Sequence, residues 1–335
     1  MSIVGWEEVF RNLKNKKYHP VYLLMGEEPF YIDVISKYIE DTVLNEEEKE
    51  FNFSVLYGRE TDATSVVSTA KRFPMLSEHQ VLIVKEAQNL KDIERLESYV
   101  KNPLDSTILV ICYKYKSFDK RKTFVKAVMQ KGVVMESKKV YDNKMPGWIL
   151  EYLKRHGYKI DPRSTQLLAD HMGNDLSKVV NELKKLFISL PKGSSITTDI
   201  IEKNIGISKD FNIFELQDAL TTKNSLKAFQ IVKYFSENPK SNPLVVTLSV
   251  LNSFFTKILI YHSISDKTPG NVASKLGMPP FLVQGIQKAA QNYRLEKLYG
   301  IFACLREYDV RSKGVNNQST SHGDLLKELV YKIIN

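Results

Sequence analysis

Val21-Tyr22-Leu23-Leu24-Met25-Gly26-Glu27-Glu28-Pro29-Phe30 sets the reading of the first part of the chain. It begins as an unbroken apolar run closed by a glycine, the pattern of a strand buried on both faces. A helical pattern follows over about residues 30–44. Further strands are expected at residues 51–57, 81–84, 107–113 and 133–136, rich in β-branched and aromatic side chains. Helices are expected between them at about 64–71, 90–100 and 120–130. Strands alternating with helices of this length predict a parallel sheet with helices on both faces, extending to about residue 139.

A sheet of this kind invites a test for nucleotide binding, and the turn after the first strand is the place to apply it. A phosphate-binding loop needs G-x-x-x-x-G-K-[ST], with free backbone N–H groups facing the phosphates and a lysine reaching them. Gly26 to Asp33 has no second glycine and no Lys-Ser or Lys-Thr, and Pro29 removes a donor. Glu27 and Glu28 would set negative charge beside the phosphates. After Leu82-Ile83-Val84 comes Lys85-Glu86, so the acidic pair that would hold Mg²⁺ loses its first carboxylate. The expectation is a nucleotide-domain scaffold that binds no nucleotide and needs no cofactor.

Phe73-Pro74-Met75-Leu76-Ser77 falls between the helix at about 63–71 and the strand Val81 to Val84. Pro74 prevents the helix from continuing, because proline lacks the N–H and clashes with the preceding turn. Phe73, Met75 and Leu76 therefore stand on a connection, where most chains place polar turn residues. Two readings are open. Either they fold back and cap the core, or they form an exposed apolar wedge for a partner's pocket.

At 335 residues the chain is long enough for two or three domains, and 43% hydrophobic with 26% charged residues is an ordinary globular composition. Lys and Arg number 48 against 39 Asp and Glu, a formal charge of +9 that favours an anionic partner such as nucleic acid. Lys114, Lys116, Lys120, Arg121 and Lys122 form the densest basic cluster, read as either a solvated face or a phosphate-facing patch. Cys112 and Cys304 make neither a disulfide framework nor a metal-ligand spacing, which points to a reducing cytoplasm. No signal-peptide h-region is evident, and no apolar run is expected to reach the ~18 residues needed to span a membrane. The histidines are dispersed with no pair at i, i+4, and no nucleophile elbow or Cys/His signature occurs. Neither a metal site nor a catalytic residue is expected.

From Trp148 onward the strand signals disappear. Helices are expected from about Ile149 to Gly157, from Pro162 to Gly173 and from Leu176 to Phe187, the last carrying i, i+3, i+4, i+7 apolar spacing after the possible cap Asp175. A short helix at 196–205 completes a subdomain. A third block, 211–335, is expected to hold helices at about 213–220, 225–235, 244–262, 280–291, 295–308 and 321–334, broken at proline and glycine pairs.

Several segments together carry a family resemblance. They are His19-Pro20-Val21-Tyr22-Leu23-Leu24-Met25-Gly26-Glu27-Glu28-Pro29-Phe30, Phe118-Asp119-Lys120-Arg121-Lys122, Gly173-Asn174-Asp175-Leu176 with Asn181-Glu182-Leu183-Lys184-Lys185-Leu186, and Leu305-Arg306-Glu307-Tyr308-Asp309-Val310-Arg311-Ser312-Lys313-Gly314 followed by Leu325-Leu326-Lys327-Glu328-Leu329. In that order and spacing the chain resembles the delta subunit of the bacterial DNA polymerase III clamp loader along essentially its whole length. The resemblance implies an α/β plus all-α protein: a degenerate ATPase-like (AAA+) parallel-sheet domain at 1–140, a helical lid at 141–210 and a helical collar at 211–335 that joins a five-membered ring. It implies a non-catalytic, cytoplasmic subunit of a DNA-directed DNA polymerase complex. Its partners would be the sliding clamp (beta subunit), the ATPase subunits gamma or tau, delta prime, and primer-template DNA. In that family the clamp is gripped by an apolar-x-apolar-apolar pattern at a helix end, here Phe73, Pro74, Met75 and Leu76; the proline spacer departs from the small polar residue often found there. The rival readings are a free-standing nucleic-acid-binding replication or repair protein and a P-loop-type ATPase.

Overall fold

The opening apolar run is strand β1, Val21–Gly26, and every residue of it is buried. In this computed structural model, which describes residues 3–208, 210–317 and 319–335, the chain divides into two units, Met1–Val140 and Tyr141–Asn335. In the first, β2 (Phe53–Tyr57), β3 (Gln80–Lys85), β4 (Thr107–Lys114) and β5 (Val133–Ser137) complete a five-stranded sheet in the order β2-β3-β4-β1-β5. All its pairings are parallel, with Val21 opposite Leu109 and Tyr22 opposite Val133. Val21, Leu23, Met25, Leu82, Val84, Leu109 and Ile111 share one core cluster with α4 (Ala63–Ala70) and α6 (Thr123–Lys131). The alternate residues Tyr22, Leu24, Ile83 and Val110 are equally buried, which is why the strands read as continuous apolar runs. Helices α1 (Trp6–Lys14) and α2 (Pro29–Thr42) also lie against the sheet.

Three local expectations need correction. The strand foreseen at 51–57 starts only at Phe53, because Phe51 and Asn52 end a helix, α3 (Glu46–Asn52). A capping box starts that helix: Asn45 Oδ1 accepts from Glu48 N (2.8 Å) and Glu48 Oε2 accepts from Asn45 N (2.9 Å). The helix foreseen at 90–100 is two 3-10 turns, Ala87–Asn89 and Ile93–Leu96, before the single α-turn α5 (Glu97–Val100). Asp92 interrupts it by taking a left-handed φ of 51°, and Glu86, at 52°, starts the first of the two turns. The helix foreseen from 120 begins at Thr123, since Arg121 N and its guanidinium are bonded back to Asp119 in the preceding turn.

The second unit is helical apart from one two-residue parallel pairing, β6 (Lys159–Ile160) with β7 (Ser195–Ile196), which the sequence reading lacked. Helices α7 (Met145–Arg155), α8 (Pro162–Met172), α9 (Leu176–Ser189) and α10 (Thr198–Ile205) come first. The Gly173-Asn174-Asp175-Leu176 motif is their hinge: Gly173 closes α8 at φ +69°, and Asp175 caps α9 by accepting from Lys178 N at 3.0 Å. Then follow α11 (Ile213–Thr221), α12 (Ser225–Glu237), α13 (Leu244–Ser263), the unforeseen α14 (Pro269–Leu276), α15 (Val283–Asn292), α16 (Leu295–Ser312) and α17 (His322–Ile334), which share one hydrophobic core. The motif around Leu305 to Leu329 ties α16 to α17, with Tyr308 Oη donating to Glu328 Oε2 (3.0 Å) and Arg311 paired to the same oxygen (3.1 Å). Against expectation, α13 is long and apolar enough to cross a membrane by length and composition, at 20 residues and mean hydropathy 1.7. In the bundle Leu248, Leu251, Phe255 and Ile258 of this helix are buried, while Val245, Val246 and Ile260 face solvent.

Candidate protein-docking site

The sheet of the first unit has two edges, one at the carboxyl ends of its strands and one at their amino ends. At the carboxyl ends of its strands, where an open parallel sheet binds ligands, the turn after β1 is closed by the fold itself. Gly26 sits at φ +138°, a conformation open to glycine alone, and any Cβ there would collide with the Ser137 backbone. Its N–H is bonded to the Lys116 carbonyl (2.9 Å), and the Glu28 N–H to the Ser137 carbonyl (3.4 Å). The Glu28 carboxylate is buried at the start of α2 and accepts from Phe30 N at 3.1 Å. An acidic side chain thus holds the helix N-terminus that a phosphate would need. On the neighbouring strand Lys85 ends β3, and Glu86 lies 3.8 Å from Arg59.

At the amino ends of the strands lies the connection from α4 to β3. Asp62 caps α4 by accepting from Ser65 N (2.8 Å), and the helix ends at Ala70. The Ala70 carbonyl accepts from Thr107 Oγ1 (2.8 Å), Tyr99 Oη (3.2 Å) and Gln80 Nε2 (3.2 Å), so a buried polar knot replaces the missing helical turn. Gln80 Nε2 also donates to the Arg72 carbonyl. Further along, the buried Asn52 side chain grips the Met75 backbone from both sides: Met75 N donates to Asn52 Oδ1 (2.6 Å) and Asn52 Nδ2 donates to Met75 O (2.8 Å). Leu76 then takes φ +54°, a left-handed conformation that costs an L-residue about 1–2 kcal/mol. The backbone is pinned, yet the side chains of Phe73, Met75 and Leu76 are 76%, 60% and 100% exposed. They do not cap the core. They also lie beyond the helix, on the loop that follows its end at Ala70, and not on its last turn; the helix stops before Pro74 is reached.

Sequence reading missed Asn52, Gln80, Tyr99 and Thr107, since no local motif marks any of them: Asn52 ends α3, Tyr99 lies in α5, and Gln80 and Thr107 begin β3 and β4. The basic cluster gathers at the opposite, carboxyl edge and is largely paired within the fold. Lys114 bonds Asp33 (2.6 Å), Lys120 bonds Glu136 (2.8 Å), Arg121 bonds Asp119 (2.7 Å) and Lys122 lies 3.2 Å from Glu94. The Arg121 hydrogen bonds hold the Asp119 carboxyl far below the usual carboxylate range. Lys116 contributes its carbonyl to the closed turn. Burial pushes the Cys112 thiol up to about 12, which leaves it unreactive at neutral pH. Among the described residues no group of His, Cys, Asp and Glu is arranged to hold a metal ion. In the second unit a cavity of about 400 Å³ is lined by Gln166, Asp170, Asp218, Lys257 and apolar side chains from α11, α13 and α15.

Residues 22–138 match the family described as DNA polymerase III, delta subunit, and residues 210–326 match its C-terminal domain. The DNA polymerase III subunit delta of Bacillus subtilis (strain 168) is 25% identical over 318 residues, covering 91% of each chain. The solved structure of the Bacillus subtilis DNA clamp loader delta protein superposes with a TM-score of 0.59 at 23% identity, over 98% of this chain and 99% of that one, and so shares the fold. With both family matches in order along one chain, and the α/β unit followed by the helical unit that they require, this protein belongs to the DNA polymerase III delta-subunit family.

Proposed function

We propose that this chain is the clamp-gripping subunit of a replicative clamp loader. Phe73, Met75 and Leu76 insert into an apolar pocket near the subunit interface of the ring-shaped sliding clamp and hold that interface in its opened state. The observation that carries this reading is the combination at the α4–β3 loop: apolar side chains offered to solvent on a backbone fixed by Asn52 and the Ala70 knot. Exposed contiguous apolar surface marks interaction sites, and a loop already held in its bound shape loses little entropy on docking. Burying such side chains contributes roughly 1.5–3 kcal/mol each, so the wedge offers about 4–9 kcal/mol before association costs. That suffices to shift a ring between closed and opened interfaces when the wedge fits the opened one better.

The chain performs no catalysis of its own in this reading. Partner ATPase subunits of the gamma or tau type, with delta prime, supply the nucleotide-driven motion, and the closed turn at Gly26 and Glu28 suits a subunit that only receives it. Residues 141–210 act as the lid and 211–335 as the collar through which it joins the ring of subunits in the cytoplasm. The basic residues Lys114, Lys116, Lys120, Arg121 and Lys122 meet primer-template phosphates only in the assembled loader. A free-standing nucleic-acid-binding protein would have no use for the exposed wedge. The test is co-purification of the full chain with the sliding clamp, without DNA or nucleotide. Retention by the wild-type chain and loss on replacing Phe73, Met75 and Leu76 together with alanine are expected; a wild-type chain that ignores the clamp refutes the reading.

A further inference from the structure

The docking loop is not self-supporting, and the element that supports it adds apolar surface beside it. Helix α3 ends at Asn52, 23 residues before Met75 in sequence, and β2 starts at the next residue. Phe53, the first residue of β2, is paired with Val81 of β3, so the end of α3 lies at the same edge of the sheet as the loop that enters β3. Asn52 is buried and spends its whole amide on this junction. Nδ2 donates to the Glu48 carbonyl (3.0 Å) and to the Met75 carbonyl (2.8 Å), while Oδ1 accepts from Met75 N (2.6 Å). Its neighbour Phe51 is 65% exposed, an aromatic ring in water one residue from the side chain that holds the wedge.

We infer that the end of α3 is the second half of the docking element, with Asn52 as a positioning residue for Met75 and Leu76 and Phe51 as a further apolar contact on the clamp. The inference rests on the proposed function and names how that surface is built. Asn52 acts through population. Without its two bonds the loop samples other conformers, Leu76 has no reason to keep its left-handed φ, and apparent affinity falls by the fraction still competent to bind. Phe51 acts by burial, so its loss removes contact area and leaves the loop conformation unchanged. The apolar surface that the clamp must meet therefore runs from Phe51 to Leu76, and its pocket has to extend beyond a three-residue footprint.

The experiment measures clamp affinity and amide hydrogen exchange for the full-length chain and for the variants Asn52→Ala, Asn52→Asp and Phe51→Ala, alongside the Phe73, Met75, Leu76 triple-alanine variant. Asn52→Asp keeps the side chain's size and an acceptor for Met75 N but sets an oxygen against the Met75 and Glu48 carbonyls, so it opposes the grip without emptying the site. Asn52→Ala is expected to raise Kd by about tenfold, as when the competent conformer drops to about a tenth of the population. It should also speed exchange at Met75 while β3 keeps its protection, a pattern that general destabilisation would not produce. Asn52→Asp should weaken binding at least as much as alanine, because its second oxygen repels the Met75 carbonyl. Phe51→Ala should raise Kd by about tenfold, the equivalent of losing roughly 1.4 kcal/mol, with exchange at Met75 unchanged. If the wild type binds and the triple-alanine variant does not, but the Asn52 and Phe51 variants bind as wild type, this inference is overturned while the function stands. If the triple-alanine variant binds as wild type, the functional reading itself fails.

Discussion

Replacing Met75 and Leu76 together with alanine separates docking from folding more sharply than any other change in this chain. Leu76 is fully exposed and Met75 is 60% exposed, so little of either contributes to the folded state. Burial of a whole Leu or Met side chain is worth roughly 1.5–3 kcal/mol, and alanine keeps the first methyl group. The double variant therefore forfeits about 2–4 kcal/mol at the interface, a roughly 30- to 1,000-fold rise in Kd at about 1.4 kcal/mol per decade. Stability should move by no more than about 0.5 kcal/mol, the usual range for surface substitutions. Asn52 and the Ala70 knot bond only to backbone or to side chains outside the pair, and they persist in the variant. Isothermal titration against the sliding clamp and a thermal melt on the same preparation read both quantities. Were the two residues part of the core, truncation would cost about 2–5 kcal/mol each and lower Tm by many degrees. A melt that collapses with clamp affinity intact refutes the argument outright.

Other perturbations probe the rest of the molecule. Gly26→Ala should destabilise the first unit by about 3 kcal/mol or more, measured by denaturant titration, because the added Cβ has no space against Ser137. In the second unit burial pushes the Asp170 carboxyl up to about 6 from its ordinary 3.8. The folded state then holds a proton that the unfolded state releases, so this group's contribution to stability falls as pH rises from about 4 to about 6. Asp170→Asn keeps an acceptor for Gln166 Nε2 (2.8 Å) and should flatten that pH dependence, adding about 1–3 kcal/mol at pH 7; an unchanged slope in urea melts across this window would contradict it. Replacing Lys120 and Arg121 with glutamine should lower the slope of log affinity against log salt by about 1 per lost phosphate contact in the assembled loader, with the largest defect at low salt. An identical slope would return both to the intramolecular pairs with Glu136 and Asp119.

The sheet was legible because each strand carries its own signal: Val21 to Met25 and Thr107 to Cys112 are apolar without interruption, and burial on both faces is what makes them so. The missing phosphate loop was legible for the same local reason, since Gly26 to Phe30 lacks the needed residues. What escaped was set by partners far away in sequence. Phe51 and Asn52 read as the start of a strand until the Asn45 capping box and the Met75 backbone are placed beside them. The exposure of Phe73, Met75 and Leu76 was undecidable from the stretch itself, because an apolar loop that folds inward and one held outward have the same composition. The bonds that decide it belong to Asn52, Gln80 and Thr107, which lie on three other segments.

The placement of the two edges shows how the proposed docking loop can sit on a sheet whose ligand-binding end is filled from within. In a parallel sheet all carboxyl ends face one side and all amino ends the other. Gly26 and Lys114 end β1 and β4 at the first edge, while Gln80 and Phe53 begin β3 and β2 at the second. The first edge is filled by Glu28, Ser137 and the Lys116 carbonyl, whose hydrogen bonds described above run within that edge, while the α4–β3 loop is held at the second by Asn52 and the Ala70 knot. The closed turn fixes β1 between β4 and β5, and through the ladder from β4 to β3 it fixes the strand that follows the loop. A sheet whose first edge is filled by its own groups gives the loop bearing Phe73, Met75 and Leu76 a fixed support. On the proposed reading, a subunit that grips a ring driven by others is served by that constancy.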